Sequence, residues 1–163
     1  MITRFFRYIV IGVVVLIIQK FGDDFFTISS VAPQFILLYI VYISMKEGQM
    51  AGMITGFAAG LFNDLLTTHF IGYTSFVGVI AAFVAGFFYK ESDAELVGKT
   101  LNFSWVSALS IFIAQFFSLP LIQSGSDLNY FYVFLKFTFG VTIYTAIFSL
   151  IVIFSIGRKT RYV

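Results

Sequence analysis

This sequence has no cysteine and few charged residues. The 163-residue chain contains no cysteine, which excludes disulfides, thiolate metal sites and cysteine nucleophiles. Only 11% of its residues are charged, compared with about 25% in an average soluble domain. Hydrophobic residues make up 60% of the chain, and the mean hydropathy is +0.97. Because so few charges cannot cover a water-facing surface, the sequence predicts an integral-membrane protein.

Signatures of catalysis and of metal binding are also missing. His69 is the only histidine, so the chain cannot form a zinc site from clustered histidines. The sequence contains no GxSxG nucleophile elbow, no P-loop and no GxGxxG dinucleotide motif. We therefore expect no enzyme activity, no cofactor and no metal. The basic tail RKTRYV is interpreted as a determinant of membrane topology, not as a nucleic-acid-binding segment.

Long apolar runs separated by short polar clusters predict an all-α polytopic membrane protein. We place six transmembrane helices at residues 5–19, 32–45, 49–66, 70–89, 101–121 and 130–156. Six spans of roughly 20 residues use about 120 positions. No room remains for a soluble domain, so residues 1–163 are predicted to form a single integral-membrane domain. The first run follows two arginines and lacks a small-residue cleavage site, so we interpret it as a retained helix.

The distribution of lysine and arginine orients these helices. The second run, FILLYIVYISM, is short for a membrane span. It reaches the required length if the helix starts at Phe25 and is kinked at Pro33. The alternative is a re-entrant or interfacial segment. Removing this span would place Lys90, Lys99 and the basic tail outside, against the positive-inside rule. Six spans with cytoplasmic N- and C-termini are therefore favoured. The inner side then carries Arg4, Arg7, Lys46, Lys90, Lys99, Arg158, Lys159 and Arg161, and the outer loops carry Lys20.

Small residues recur on one face of the third and fourth predicted helices. In lipid, helices associate by close packing, and glycine or alanine at every fourth position lets two backbones approach. Each glycine costs roughly 1 kcal/mol of helix propensity in water, so a ladder of glycines indicates that close approach matters. We therefore predict a tightly packed helix pair. Its packing residues are Gly48, Gly52, Gly56 and Gly60 on the third helix and Gly78, Ala82, Ala85 and Gly86 on the fourth.

Polar residues near the outer ends of the helices form a second predicted feature. Asp64 lies about 26 Å along the third helix from Glu47, and Lys136 lies about 9 Å below the outer end of the last helix. We predict an outward-facing polar layer in which Asp64 pairs with Lys136. Alternatively, Lys136 extends outward alone, and Asp64 reaches the headgroups or caps the turn before His69. The predicted layer consists of Gln34, Asp64, His69, Gln115 and Lys136.

The segment with the glycine ladder also carries a longer motif. Pro33 opens the second span, and the run GxxxGFxxGLxxD ends at Asp64, with a further glycine eight residues later. This motif, within residues 33–89, resembles the MreD family, small inner-membrane proteins of the bacterial rod-shape machinery. The chain length and basic ends also resemble that family, which usually has an acid where this chain has Gln34. The motif residues are Pro33, Gly52, Gly56, Phe57, Gly60, Leu61, Asp64 and Gly72.

The resemblance implies a scaffold without catalytic activity, located in the bacterial cytoplasmic (inner) membrane as a multi-pass protein. Such a protein helps to regulate cell shape and peptidoglycan synthesis within the elongation machinery. Its implied direct partner is an MreC-like single-span protein. Its implied indirect partners are an MreB-like actin filament, a SEDS glycosyltransferase and a class B penicillin-binding transpeptidase. The family is also thought to share the six-helix fold of the S component of energy-coupling-factor transporters.

That fold provides the alternative function, a substrate-binding S subunit of an energy-coupling-factor vitamin transporter. Such subunits typically dock through an AxxxA stripe on the first helix, whereas this helix reads YIVIGVVVLIIQK, without alanine. The scaffold interpretation is therefore favoured. A small channel or transporter is a third class, but we find no repeated halves in the sequence. Membrane lipid is an expected contact, and a homodimer through glycines that remain unpaired is left open.

Overall fold

Six α-helices make up the part of the chain that the structure describes. The computed structural model describes residues 2–25, 32–66, 71–90, 97, 101–122 and 130–158, with side chains described for 7–22, 32–66, 71–90, 97, 101–118, 138–151 and 153. The helices are α1 (Ile2–Phe25), α2 (Phe35–Glu47), α3 (Gln49–Leu66), α4 (Tyr73–Gly86), α5 (Leu101–Ile122) and α6 (Tyr130–Arg158). Within these residues there is no strand. The prediction of six helices and an all-helical fold is confirmed.

The beginnings of α2 and α4 differ from the predicted positions. α2 begins at Phe35 and not at residue 32, because Pro33 precedes it and Gln34 has a non-helical backbone, with φ −101° and ψ 81°. Pro33 therefore does not kink a longer helix. α4 begins at Tyr73 and not at residue 70, because Gly72 adopts a left-handed backbone with φ +95° that interrupts helical geometry. By contrast, α3 has the predicted bounds.

Two of the six helices are short for crossing a membrane. α2 has 13 residues and α4 has 14, so each is about 20 Å long, compared with a hydrocarbon core of about 30 Å. By length and composition, one segment of the described residues, Leu101–Ser118, is long and apolar enough to cross a membrane. Shorter apolar segments are Tyr73–Gly86 and Thr138–Ile151. The number of membrane spans therefore remains a prediction.

α2 lies at the centre of the bundle. It contacts each of the five other helices, and nine of its 13 residues are buried. α3 packs on α4, α4 on α5 and α5 on α6, while α1 and α6 flank the bundle. Apolar side chains fill the interior because every one of these helices has an apolar face to bury. Fully buried examples are Leu37, Ile40, Val41, Val77 and Ile111.

The two faces of α1 and α3 that point away from the bundle are apolar. Exposed side chains include Ile9, Val13 and Ile17 on α1 and Ile54 and Phe62 on α3, and each is at least 49% accessible. Such exposure is costly in water and costs little in lipid, whose tails are as apolar as these side chains. We call the end of the bundle at which α2 and α4 begin the outer end, following the predicted orientation.

Candidate functional site

The glycine ladder of α3 brings its backbone into contact with α4. A Cβ atom added at Gly56 would lie 2.7 Å from the carbonyl oxygen of Gly78, and one added at Gly78 would lie 2.9 Å from that of Gly56. A Cβ added at Gly60 would overlap the backbone of Ser75. Since no side chain fits between these backbones, glycine at these positions permits the approach of α3 and α4.

The ladder also serves a second neighbour of α3. A Cβ at Gly52 would overlap Ser44 of α2, not a residue of α4. On α4, a Cβ at Gly86 would lie 2.5 Å from the Cβ of Gln49 at the start of α3. Ala82 and Ala85 are buried, and the Ala82 carbonyl accepts a hydrogen bond from the Ser44 hydroxyl at 2.5 Å. The small residues therefore join α2, α3 and α4 into one tightly packed core.

Gly48 differs from the predicted packing role. It lies between α2 and α3, with φ +98° and ψ 168°, and no atom would contact a Cβ there within 4 Å. This backbone region is essentially restricted to glycine. The periodic spacing of the ladder continues to Gly48 in the sequence, but the helix does not. Gly48 therefore permits the tight turn between two helices and contributes nothing to their packing.

The remaining motif residues occupy different environments. Pro33 is buried immediately before α2, and Gly72 has a left-handed backbone immediately before α4. Phe57 is 56% exposed, and Leu61 is partly exposed, on α3. The three helical glycines of the motif, Gly52, Gly56 and Gly60, thus face the bundle interior, whereas Phe57 faces away from it.

Asp64 is the ionisable residue that is buried at the outer end of α3. It is 1% exposed, and its carboxylate accepts hydrogen bonds from three backbone N–H groups at the start of α4. The donors are Gly72 at 2.8 Å, Thr74 at 3.1 Å and Ser75 at 3.4 Å. The first N–H groups of a helix have no partner within the helix, and a negative charge there interacts favourably with the helix dipole. Asp64 therefore caps α4 from the preceding helix.

Two members of the predicted polar layer are in direct contact. The Gln115 side-chain amide donates to the Gln34 side-chain oxygen at 3.2 Å. The Tyr73 hydroxyl donates to the Gln115 side-chain oxygen at 3.3 Å and lies 3.2 Å from the Ser118 hydroxyl. Because Tyr73 is the first residue of the helix that Asp64 caps, this network lies beside the cap. His69 and the side chain of Lys136 lie outside the described residues, so the pairing of Asp64 with Lys136 stays a prediction.

Sequence reasoning missed a second capping residue, Gln19 of α1. Its side chain is 5% exposed; it donates to the Pro33 carbonyl at 3.0 Å and accepts from the Ile36 backbone N–H at 3.3 Å. Thr145 of α6 accepts from the Gln34 backbone N–H at 3.2 Å. A glutamine directly after the apolar run VVVLII is the signal that could have identified Gln19.

A pair of hydroxyl groups joins α5 to α6 and was also missed. The hydroxyl oxygens of Ser104 and Ser149 lie 2.7 Å apart. Serine and threonine recur at spacings of three or four residues, which places them on one face of each helix. The buried serines and threonines of these two helices are Ser107, Ser110 and Ser118 on α5 and Thr138, Thr142, Thr145 and Ser149 on α6.

A tyrosine cluster joins α1 to α2 at the opposite end of the bundle. The Tyr8 hydroxyl donates to the Glu47 carboxylate at 2.5 Å, and the Tyr39 hydroxyl donates to the Tyr8 carbonyl at 2.6 Å. The Lys46 ammonium donates to the Tyr42 hydroxyl at 3.0 Å and lies 5.3 Å from the centre of that ring. Together with Gln19, this cluster fixes a helix whose other face is largely exposed.

The buried polar groups of this protein are suited to positioning helices. Among the described residues, no group of three histidine, cysteine, aspartate or glutamate side chains could hold a metal. The Asp64 carboxylate accepts hydrogen bonds from backbone amides. The neighbouring network consists of neutral amides and hydroxyls that are hydrogen-bonded to one another. Such groups act as polar contacts between helices in an apolar environment.

Comparison with known proteins identifies one family. The model of one family, described as rod shape-determining protein MreD, matches residues 1–158. No curated protein and no solved structure matches the chain. MreD proteins are membrane proteins with a role in rod-shape determination, and they are not a known enzyme family. With a match that runs from the first residue to the end of α6, the chain belongs to the MreD family.

Proposed function

We propose that this protein is a non-catalytic scaffold of the bacterial cell-wall elongation machinery. It forms one integral domain of six spans in the cytoplasmic membrane, with both termini cytoplasmic. It binds an MreC-like single-span protein and, through that partner, an MreB-like filament, a SEDS glycosyltransferase and a class B penicillin-binding transpeptidase. The observation that carries this proposal is the family match over residues 1–158.

The arrangement of polar and apolar side chains supports a scaffold. Buried polar side chains connect the protein's own helices, since Asp64 connects α3 to α4 and Gln19 connects α1 to α2. The exposed faces of α1 and α3 are apolar, so they suit contact with lipid or with a partner's transmembrane helix. A scaffold needs rigidly packed helices and a surface that its partners can contact, and it needs no catalytic group.

The alternative is an S subunit of a vitamin transporter. One observation favours it, because Gln34, Tyr73 and Gln115 meet at the outer end, where such a subunit would bind its substrate. A transporter site commonly presents the free N-terminal amides of broken helices to an anionic substrate. Here the amides of Ile36 and Thr74, at the starts of α2 and α4, already bond to Gln19 and Asp64. This internal use of the amides favours the scaffold.

Affinity purification from the native membrane tests both functions. The tagged full-length protein would be extracted in mild detergent, and its partners identified by mass spectrometry beside an unrelated tagged six-helix membrane protein. We expect a single-span partner with a large extracytoplasmic region, together with cell-wall synthesis enzymes. Recovery of paired ATPases and a large transmembrane coupling subunit would instead establish the transporter function and overturn the scaffold.

A further inference from the structure

The two short helices of the bundle start without a capping side chain of their own. Gln34 precedes α2 and Gly72 precedes α4, and neither forms a side-chain capping hydrogen bond. Most helices are capped by serine, threonine, aspartate or asparagine directly before the first turn. In an apolar environment, the uncapped N–H groups would lack a partner and would destabilise the helix start.

In both cases, the long helix that precedes the short one in the chain supplies the cap. The Asp64 carboxylate of α3 accepts from the amides of Gly72, Thr74 and Ser75. The Gln19 amide of α1 bonds to the Pro33 carbonyl and to the Ile36 N–H. Both side chains are more than nine-tenths buried, and each belongs to a different helix from the one whose start it caps.

We propose that Gln19 and Asp64 are equivalent positioning residues, each of which fixes the outer end of the following short helix. α1 and α2 then form one helical hairpin with a glutamine cap, and α3 and α4 form another with an aspartate cap. The caps set the depth at which α2 and α4 begin. This role concerns how the outer end is built, and it does not depend on which partner the protein binds.

The two caps differ in charge, which makes their effects distinguishable. Asp64 offers a carboxylate to the positive end of the α4 dipole, whereas Gln19 offers one neutral acceptor and one neutral donor. Loss of Asp64 should therefore loosen α4 more than loss of Gln19 loosens α2. Removing either cap should loosen only the helix start that it serves, because the backbone contact between Gly56 and Gly78 does not involve either cap.

Hydrogen exchange of the full-length protein in detergent, measured by mass spectrometry, tests the proposal. Asp64→Leu should raise exchange in peptides covering 72–76 by roughly tenfold, since a buried N–H that loses its partner becomes unsatisfied. Peptides covering 34–38 should be unchanged. Gln19→Met should raise exchange in peptides covering 34–38 and leave peptides covering 72–76 unchanged. Gln49→Leu is the matched control, because the Gln49 amide also donates to a backbone carbonyl, that of Phe83 at 2.9 Å, but caps no helix start.

A conservative variant, Asp64→Asn, distinguishes loss of the cap from misfolding. Asp64→Asn keeps one oxygen acceptor without the charge, so its exchange at 72–76 should fall between that of the wild type and that of Asp64→Leu. Exchange that is unchanged in Asp64→Leu and Gln19→Met would overturn the proposal. A uniform increase at both helix starts in either variant, or the same increase in Gln49→Leu, would also overturn it, because it would indicate general destabilisation.

Discussion

Gly56 and Gly78 are in reciprocal backbone contact, since a Cβ atom on either residue would lie within 3 Å of the other's carbonyl oxygen, at 2.7 Å and 2.9 Å. The contact lies near the middle of α3 and α4 and sets the distance between their axes. Gly60 and Ser75 extend it toward the outer end, where the Asp64 cap closes the hairpin. One sequence motif thus supplies both the packing face and the capping acid.

The first prediction concerns this contact. Gly56→Leu should lower the free energy of unfolding by about 3 kcal/mol or more, because the added side chain must separate two backbones. Thermal unfolding followed by circular dichroism in detergent measures the loss. Ala58→Leu is the matched control, since it places the same leucine side chain at an exposed position of α3 and should change stability by less than about 0.5 kcal/mol. Equal losses in both variants would contradict the role of the contact between Gly56 and Gly78.

The second prediction separates the two glycines that have positive φ. Gly48 has φ +98° and ψ 168°, a region that only glycine occupies readily, whereas Gly72 has φ +95° and ψ −11°, near the left-handed region that asparagine tolerates. Both positions have open space for a Cβ. Gly48→Ala and Gly48→Asn should each cost about 1–3 kcal/mol. Gly72→Asn should cost clearly less than Gly72→Ala, and the same thermal measurement compares all four variants.

The sequence was sufficient to predict the six helices, because each is an apolar run of helical length bounded by polar residues. It was not sufficient to predict where α2 and α4 begin. Their caps, Gln19 and Asp64, come from other helices, so no local capping residue marks either start. Gly48 was wrongly assigned to the packing face for a related reason. It continues the four-residue spacing of the glycines, but it lies in the turn before α3 and not in the helix.

Part of the polar site could also be predicted. Counting residues along helices placed Gln34 and Gln115 at a common depth, and their side chains are bonded. Tyr73, which bridges this pair to Ser118, was not predicted because a tyrosine near a membrane boundary usually marks the interface. Hydroxyl bonds such as that between Ser104 and Ser149 depend on the pairing of α5 with α6, which periodicity does not define.

The third prediction tests the network around Tyr73. Tyr73→Phe removes the hydroxyl that contacts both Gln115 and Ser118, and should lower stability by about 1–3 kcal/mol. Ser118→Ala in the same chain completes a double-mutant cycle. The two losses should be non-additive by about 0.5 kcal/mol or more, because both variants remove the same hydrogen bond. Additive losses would show that Tyr73 and Ser118 act separately.

The fourth prediction uses the absence of native cysteine. Ser104→Cys combined with Ser149→Cys should form a disulfide on mild oxidation, because the two hydroxyl oxygens lie 2.7 Å apart. The cross-linked protein migrates faster on a denaturing gel, and reduction reverses the shift. Ser104→Cys combined with Leu150→Cys is the control, since Leu150 follows Ser149 on α6 but has an exposed side chain. Efficient cross-linking of the control pair would argue against this helix register.

The last prediction addresses Asp64 and Lys136. The carboxylate of Asp64 already bonds to three backbone amides, and a carboxylate has room for about four acceptor contacts, so a lysine partner is compatible with the cap. If the two residues pair, Lys136→Met should lower stability in the wild-type chain and should have a smaller effect in the Asp64→Asn chain. The difference between these two losses, read from thermal unfolding, is the coupling between the residues. We expect a coupling of about 0.5 kcal/mol or more, in addition to the capping contribution of Asp64. Equal effects of Lys136→Met in both chains would assign Asp64 to the helix cap alone and leave Lys136 to extend outward.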